Sequence, residues 1–186
     1  MNVLVFKSSY RFNSNSSILA DQVIQGAKDA GATVDCFDLT KMYILPCKAC
    51  DSCREAGDGK CIQNDDMNGI YDKLKEADGI VLAGPIYWFS LPAQLKVFID
   101  RWYALGSSQG HGLRGKRFGL VVTYGDSDPY SSGAINAFRM FQDSCSYLHA
   151  GFTGILYGSA DKPGEVYQQP ELMERAKKFG GKIARR

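Results

Sequence analysis

A chain of 186 residues is long enough for one domain with a full core and too short for two ordinary ones. Its 45% of hydrophobic residues is normal for a globular chain, and a net charge of +2 gives no reason to expect a nucleic-acid or membrane partner. No apolar run approaches the roughly 20 residues needed to cross a bilayer, and Met1 leads straight into a strand pattern without a basic leader or cleavage site, so a cytoplasmic location is expected.

Val3-Leu-Val-Phe6 is a continuous apolar run, as expected of a strand buried on both faces. Ser8-Ser-Tyr-Arg-Phe-Asn-Ser-Asn-Ser-Ser17 follows and opens into a helix over about Ser16 to Ala30, with Leu19, Val23 and Ala27 on one face and Gly31 as its stop. Hydroxyls, amides and the free N–H groups of a helix N-terminus can hold a phosphate. Without a glycine or a lysine–threonine ending, this is neither a dinucleotide fingerprint nor a P-loop. A plain N-cap needs far fewer residues, so a phosphate cradle is the preferred reading.

Thr33-Val-Asp-Cys-Phe37 reads as the second strand. Beyond it, Cys47, Cys50, Cys53 and Cys61 place four thiols within a short segment, 46–62. Thiolates are soft ligands of iron–sulfur clusters, and C-x2-C-x2-C begins a bacterial ferredoxin run, although there proline follows the fourth cysteine and here Ile62 does. A 4Fe–4S cluster is the favoured reading. A structural zinc site, which normally joins two separated C-x2-C pairs, and a thiol–disulfide site stay open beside it. Cys36 and Cys145, outside the cluster, are expected to be small core residues.

Asp65-Asp66 sits where an N-cap belongs, with a helix running to about Ala77, and Gly79-Ile-Val-Leu-Ala-Gly84 is the third strand. After it, Tyr87, Trp88 and Phe89 can line a planar ring, with backbone amides on the ring's polar edge. Pro92 fits the first turn of a helix carrying Leu95, Phe98, Ile99 and Trp102. Gly110-His-Gly-Leu-Arg-Gly115 satisfies G-x-G-x-x-G but precedes a strand, so it reads as a turn. Arg117–Tyr124 is the fourth strand, with Thr123, Tyr124 and Gly125 where a third wall of a site belongs. A long helix follows Ser131-Ser132, then a fifth strand, Gly154–Tyr157, and a last helix over about Pro170 to Ala184. His111 and His149 lie in no motif and read as structural or surface residues.

Five strands alternating with helices imply an α/β, three-layer sandwich: one domain, 1–186, on a five-stranded parallel sheet in the order 2-1-3-4-5. Ligands then bind outside the carboxyl ends of the strands.

Taken together, these motifs resemble the iron–sulfur flavoprotein branch of the flavodoxin-like, NADPH-dependent FMN reductase family. The matching residues are the Ser8–Ser16 loop, Pro46–Cys53 with Cys61, Asp65-Asp-Met67, Gly84-Pro-Ile-Tyr-Trp88 and Gln94–Arg101. The resemblance implies that Ser9, Arg11, Asn15 and Ser16 hold the FMN phosphate. It implies that Pro85, Ile86, Tyr87 and Trp88 contact the isoalloxazine, beside Phe89 of the aromatic wall, with Thr123, Tyr124 and Gly125 nearby. It further implies a cluster on the four cysteines, NAD(P)H or a reduced carrier as electron source, small-molecule redox substrates, and a homodimer or homotetramer. The basic C-terminal end, Arg175, Lys177, Lys178, Lys182, Arg185 and Arg186, is a candidate dock for an acidic ferredoxin, although cations are ordinary near a helix C-terminus and on a solvated face. No side chain is needed as a catalytic acid or base. Two other readings remain: a cluster-free NAD(P)H-dependent FMN or quinone reductase, and a non-catalytic electron carrier, for which a strongly acidic face would be expected where this chain has a pI near 8.2.

Overall fold

In the computed structural model, which describes residues 1–185, the apolar runs become strands and the amphipathic segments become helices. In chain order the elements are β1 (Asn2–Lys7), α1 (Asn15–Asp29), β2 (Thr33–Asp38), α2 (Ser52–Ala56), α3 (Tyr71–Glu76), β3 (Gly79–Pro85), α4 (Ala93–Asp100), β4 (Gly106–Ser107), β5 (Gly110–His111), β6 (Arg117–Tyr124), α5 (Ala134–Tyr147), β7 (Gly151–Ser159) and α6 (Pro170–Ile183). The main sheet runs β2-β1-β3-β6-β7 with every pair parallel. With the small β4–β5 hairpin set aside, this is the expected 2-1-3-4-5 order.

Strand side chains alternate faces, so one run of apolar residues supplies two cores. Val3 and Val5 of β1 join Val81 and Val121 against α1 and α6. Leu4 and Phe6 join Leu82, Phe118 and Leu120 against α3, α4 and α5. Large side chains that are fully buried in this way contribute about 1.5–3 kcal/mol each. On the first face α1 and α6 touch through their backbones: a Cβ on Gly26 would strike the carbonyl of Lys177, and one on Gly180 the carbonyl of Val23.

Several expectations need correction. The segment from Asp65 to Ala77 is not one helix. Asp65 does cap it, accepting from the Met67 N–H at 3.1 Å, but a 3-10 turn over Asp66–Gly69 gives way to α3 only at Tyr71. Asn68-Gly69, a poor helix pair, lies at the break. Pro92 is the N-cap of α4, and Trp102 sits in a 3-10 turn, Arg101–Leu105, beyond it. The fifth strand extends over Gly151–Ser159, because an edge strand tolerates the exposed Phe152 and a left-handed Gly154 that weaken the apolar pattern. Cys145 is buried, which pushes its thiol up to about 11. Cys36 is not core; it is exposed on the edge strand β2. His111 has the structural role anticipated: Nδ1 accepts from the Leu113 N–H, and Nε2 lies 3.1 Å from the Trp102 carbonyl.

Candidate flavin site and cysteine segment

The loops after β1, β3 and β6 converge at the carboxyl end of the sheet, and a fourth, after β7, joins them. In the first loop Ser8 is buried, and its hydroxyl donates to the Ala83 carbonyl of β3 at 2.9 Å. The turn is thereby fixed to the sheet before any ligand is considered. Ser9 accepts from the Arg11 N–H at 3.4 Å. Arg11 reaches outward and donates to the Asp161 carbonyl at 2.7 Å. Ser14 and Ser16 face each other, hydroxyl to hydroxyl, at 3.1 Å. No side chain caps the first turn of α1. The leading N–H groups of that helix have no intrahelical partner.

Asn15 behaves differently from a simple phosphate ligand. Its buried amide donates to the carbonyls of Ala160 and Lys162 at 3.2 and 2.8 Å, and its oxygen accepts from the Val166 N–H at 3.3 Å. Its side chain therefore ties the loop after β7 to the cradle. That loop is shaped further by Glu165, which accepts from the N–H groups of Asp161 and Lys162, bonds that hold its carboxyl below the ordinary range. Sequence reasoning missed this fourth wall. Only Gly164, at φ +78°, marks a turn there, and nothing local announces a partner 150 residues away.

After β3, Ile86 donates its N–H to the Thr123 carbonyl at 2.8 Å, holding the second and third loops together. Tyr87 and Ser90 exchange backbone hydrogen bonds at 2.9 and 3.1 Å. Between them Trp88 and Phe89 both sit in the left-handed region, at φ 47° and 63°. A tight turn of this kind favours Asn-Gly, and two aromatics there store strain of order 1–3 kcal/mol each. The turn is held from α5: Asn136 donates to the Phe89 carbonyl at 3.3 Å, and Gly133 leaves no room for a Cβ beside Phe89. Trp88 is 94% exposed and Phe89 55%, so the strain is spent on presenting rings to the mouth. Pro85 and Ile86 are half-buried at its base; Thr123 and Tyr124 are buried beneath it, and Gly125 lies exposed above them.

The cysteine segment leaves and rejoins the body through a tied neck. Tyr43 donates to Asp66 at 2.7 Å; Leu45 donates to Asp65 at 2.9 Å; Gln63 donates to the Pro46 carbonyl at 3.0 Å. Arg101, 1% exposed, grips the buried Asp65 with two nitrogens and donates to the Leu45 carbonyl at 2.7 Å. Burial works against the Asp65 charge, but the Arg101 bonds outweigh it and hold the carboxyl below its usual range. This pair escaped sequence reasoning because its members lie 36 residues apart.

Within the neck, burial pushes the Cys53 thiol up, with Cys61 and Cys47 close enough to add to the effect. Cys61 lies beside the Gln63 amide at 3.9 Å. Cys50 stands apart: it is exposed, flanked by left-handed Ala49 and Asp51, and lowered by bonding to Ser52. Among the described residues no three metal-ligating side chains stand together at ligand geometry. Four thiols on one short segment are the donor type a thiolate-bound centre uses.

This is a flavodoxin-like α/β sandwich whose mouth offers a helix N-terminus and an aromatic turn. The chain belongs to the NADPH-dependent FMN reductase family, whose model matches residues 1–151. It is 30% identical to an iron–sulfur flavoprotein of Methanocaldococcus jannaschii, over 99% of this chain and 96% of that one. It is 36% identical to an FMN-dependent NADH:quinone oxidoreductase of Shewanella sp. (strain MR-4), over 92% and 93%. The fold matches the solved NAD(P)H:quinone oxidoreductase of Methanothermobacter marburgensis with a TM-score of 0.75 at 18% identity, covering 100% and 98% of the two chains. The chain is an oxidoreductase of the FMN- and NAD(P)H-dependent kind that its family defines. No described helix is long and apolar enough to cross a membrane.

Proposed function

We propose that the chain moves electrons between NAD(P)H or a reduced carrier, FMN at the carboxyl end of the sheet, a 4Fe–4S cluster on Cys47, Cys50, Cys53 and Cys61, and an acceptor. FMN, when bound, supplies hydride and single-electron chemistry, so the protein has to bind, orient and shield it. The first-turn N–H groups of α1, with Ser9, Ser16 and Arg11, would hold the phosphate. Asn15 would act on the phosphate by fixing the loop after β7. Tyr87, Trp88 and Phe89, with Pro85 and Ile86, would bound the ring, and Thr123 to Gly125 would close the third side. With the flavin carrying the chemistry, no side chain need act as acid or base.

The observation that carries the cluster is the C-x2-C-x2-C set with Cys61 on a segment whose two ends are tied to each other through Leu45–Asp65 and Gln63–Pro46. A homodimer or homotetramer is supported by rings left in solvent around the mouth: Phe12 is 88% exposed, Trp88 94% and Tyr130 75%. The cations of α6 give little support to ferredoxin docking, since Lys177 pairs with Asp29 and Lys178 with Glu174.

The test is Cys50→Ala on anaerobically purified protein. The expected result is loss of iron and acid-labile sulfide with flavin absorbance retained. Full retention of iron would remove Cys50 from the ligand set, and a wild-type chain holding FMN without iron would leave the cluster-free reductase.

A further inference from the structure

Helices of a parallel α/β sandwich run opposite to its strands, so the C-terminal ends of α4 and α5 lie at the amino end of the sheet, away from the flavin mouth. Between them and the β4–β5 hairpin is a cleft of about 550 Å3. Trp102, Tyr103, Met140, Tyr147 and Leu148 give it an apolar, largely aromatic wall. A second hollow of about 260 Å3 continues it past Arg114 and His149, and the two share Arg54, His111, Tyr147 and Leu148.

Arg54 stands where they meet. It is half-buried, and its guanidinium lies 4.2 Å from the centroid of the Tyr103 ring. It also presses on Gly106, where a Cβ would collide with it. Tyr103 in turn is fixed by donating to Asp51 at 2.7 Å. The acids of the cleft are already engaged: Asp100 pairs with Lys96 at 2.6 Å and Asp143 with Arg139 at 2.8 Å. Among the described residues, neither Arg54 nor Arg114 has an ion-pair partner or a side-chain hydrogen bond. His111 is not a competing cation, since burial lowers its pKa and both ring nitrogens are spoken for. The indole N–H of Trp102, in the same wall, is buried without an acceptor.

We propose that this cleft is a second small-molecule site, for a planar aromatic compound bearing an oxyanion, either carboxylate or phosphate. A guanidinium carries five N–H donors in a fork that matches such oxygens bidentately. Here the fork is oriented by an aromatic ring, has no acceptor of its own, and faces a cavity of ordinary ligand size. The aromatic wall takes the body of the ligand, and Arg54, with Arg114 behind it, takes the charge. Arg54 directly follows Cys53 in α2, so a ligand anchored on it also restrains the cysteine segment. The proposal is independent of whether a cluster is assembled.

Calorimetric titration of the flavin-loaded protein with naphthoate, its uncharged amide and inorganic phosphate tests it. Naphthoate is expected to bind at least roughly tenfold more tightly than the amide, and Arg54→Gln to weaken it by about tenfold or more. Arg54→Lys should weaken it as well, because an ammonium lacks the fork. Tyr147→Ala, at an exposed position, should lower affinity without touching the cysteine segment. Amide resonances of Gly106 and Leu148 should shift while flavin absorbance stays constant. Competition by phosphate would assign the subsite to phosphate-bearing ligands, and its failure would assign it to carboxylates. Equal affinity for the amide, undiminished binding in both Arg54→Gln and Tyr147→Ala, spectral change at the flavin alone, or no binding of any probe would overturn the proposal.

Discussion

The loop after β1 and the cysteine segment after β2 are built in opposite ways. The first is tied into the fold along its length: Ser8 bonds to β3, and Asn15 bonds to the loop after β7. The second is finished only at its neck, where Asp65, Arg101 and Gln63 hold both ends, while Cys50 stays outside between two left-handed residues. Backbone N–H groups can be prepaid by secondary structure. Thiolates repel one another once ionised, so a site made of them is completed by the positive centre it binds.

The largest effect should come from the neck. Asp65→Asn leaves Arg101 charged and unpaired in the core, at a cost of about 3–5 kcal/mol measured by urea unfolding. The same pair sets an acid limit. Because the folded Asp65 carboxyl is depressed, its contribution is complete above the ordinary carboxylate value near ~3.9 and is lost as pH falls through the folded one. Asp65→Asn should flatten that part of the stability–pH curve; an unchanged curve would mean that other carboxylates dominate it.

Next is the cradle. Asn15→Leu strands two carbonyls and an N–H, which should cost about 2–3 kcal/mol. Combined with Ser16→Ala, it should weaken FMN binding by roughly tenfold or more in a fluorescence titration. Affinity unchanged in the double variant would break the contrast, since the first loop would then not be the prebuilt site.

Replacing Trp88-Phe89 by Asn-Gly relieves the strained turn. The flavin-free chain should gain about 1–3 kcal/mol while FMN is held less tightly. A loss of stability would mean that the rings pack rather than wait for a ligand. The smallest effect is expected at Cys50→Ala, which at an exposed position should move flavin-free, iron-free stability by no more than about 0.5 kcal/mol.

Sheet order and the centres of β1, β3 and β6 were legible because strands buried on both faces must be apolar throughout. The edges were not: β7 carries exposed Phe152 and a left-handed Gly154, and β2 exposes Cys36. At the candidate site, residue types singled out loops that converge at the carboxyl end of the sheet, but not the partner of each side chain. Asn15 reads as a phosphate ligand by type, yet its amide is committed to the chain's own backbone. The Asp65–Arg101 pair and the loop after β7 depend on contacts 36 and some 150 residues apart, which no local pattern encodes.

The most direct test of the central claim is the content of iron, acid-labile sulfide, zinc and flavin per chain after anaerobic purification. The proposed reading predicts roughly four irons and four sulfides with one FMN. One FMN with neither iron nor sulfide would contradict it, with the zinc figure deciding between a zinc site and free thiols at Cys47, Cys50, Cys53 and Cys61.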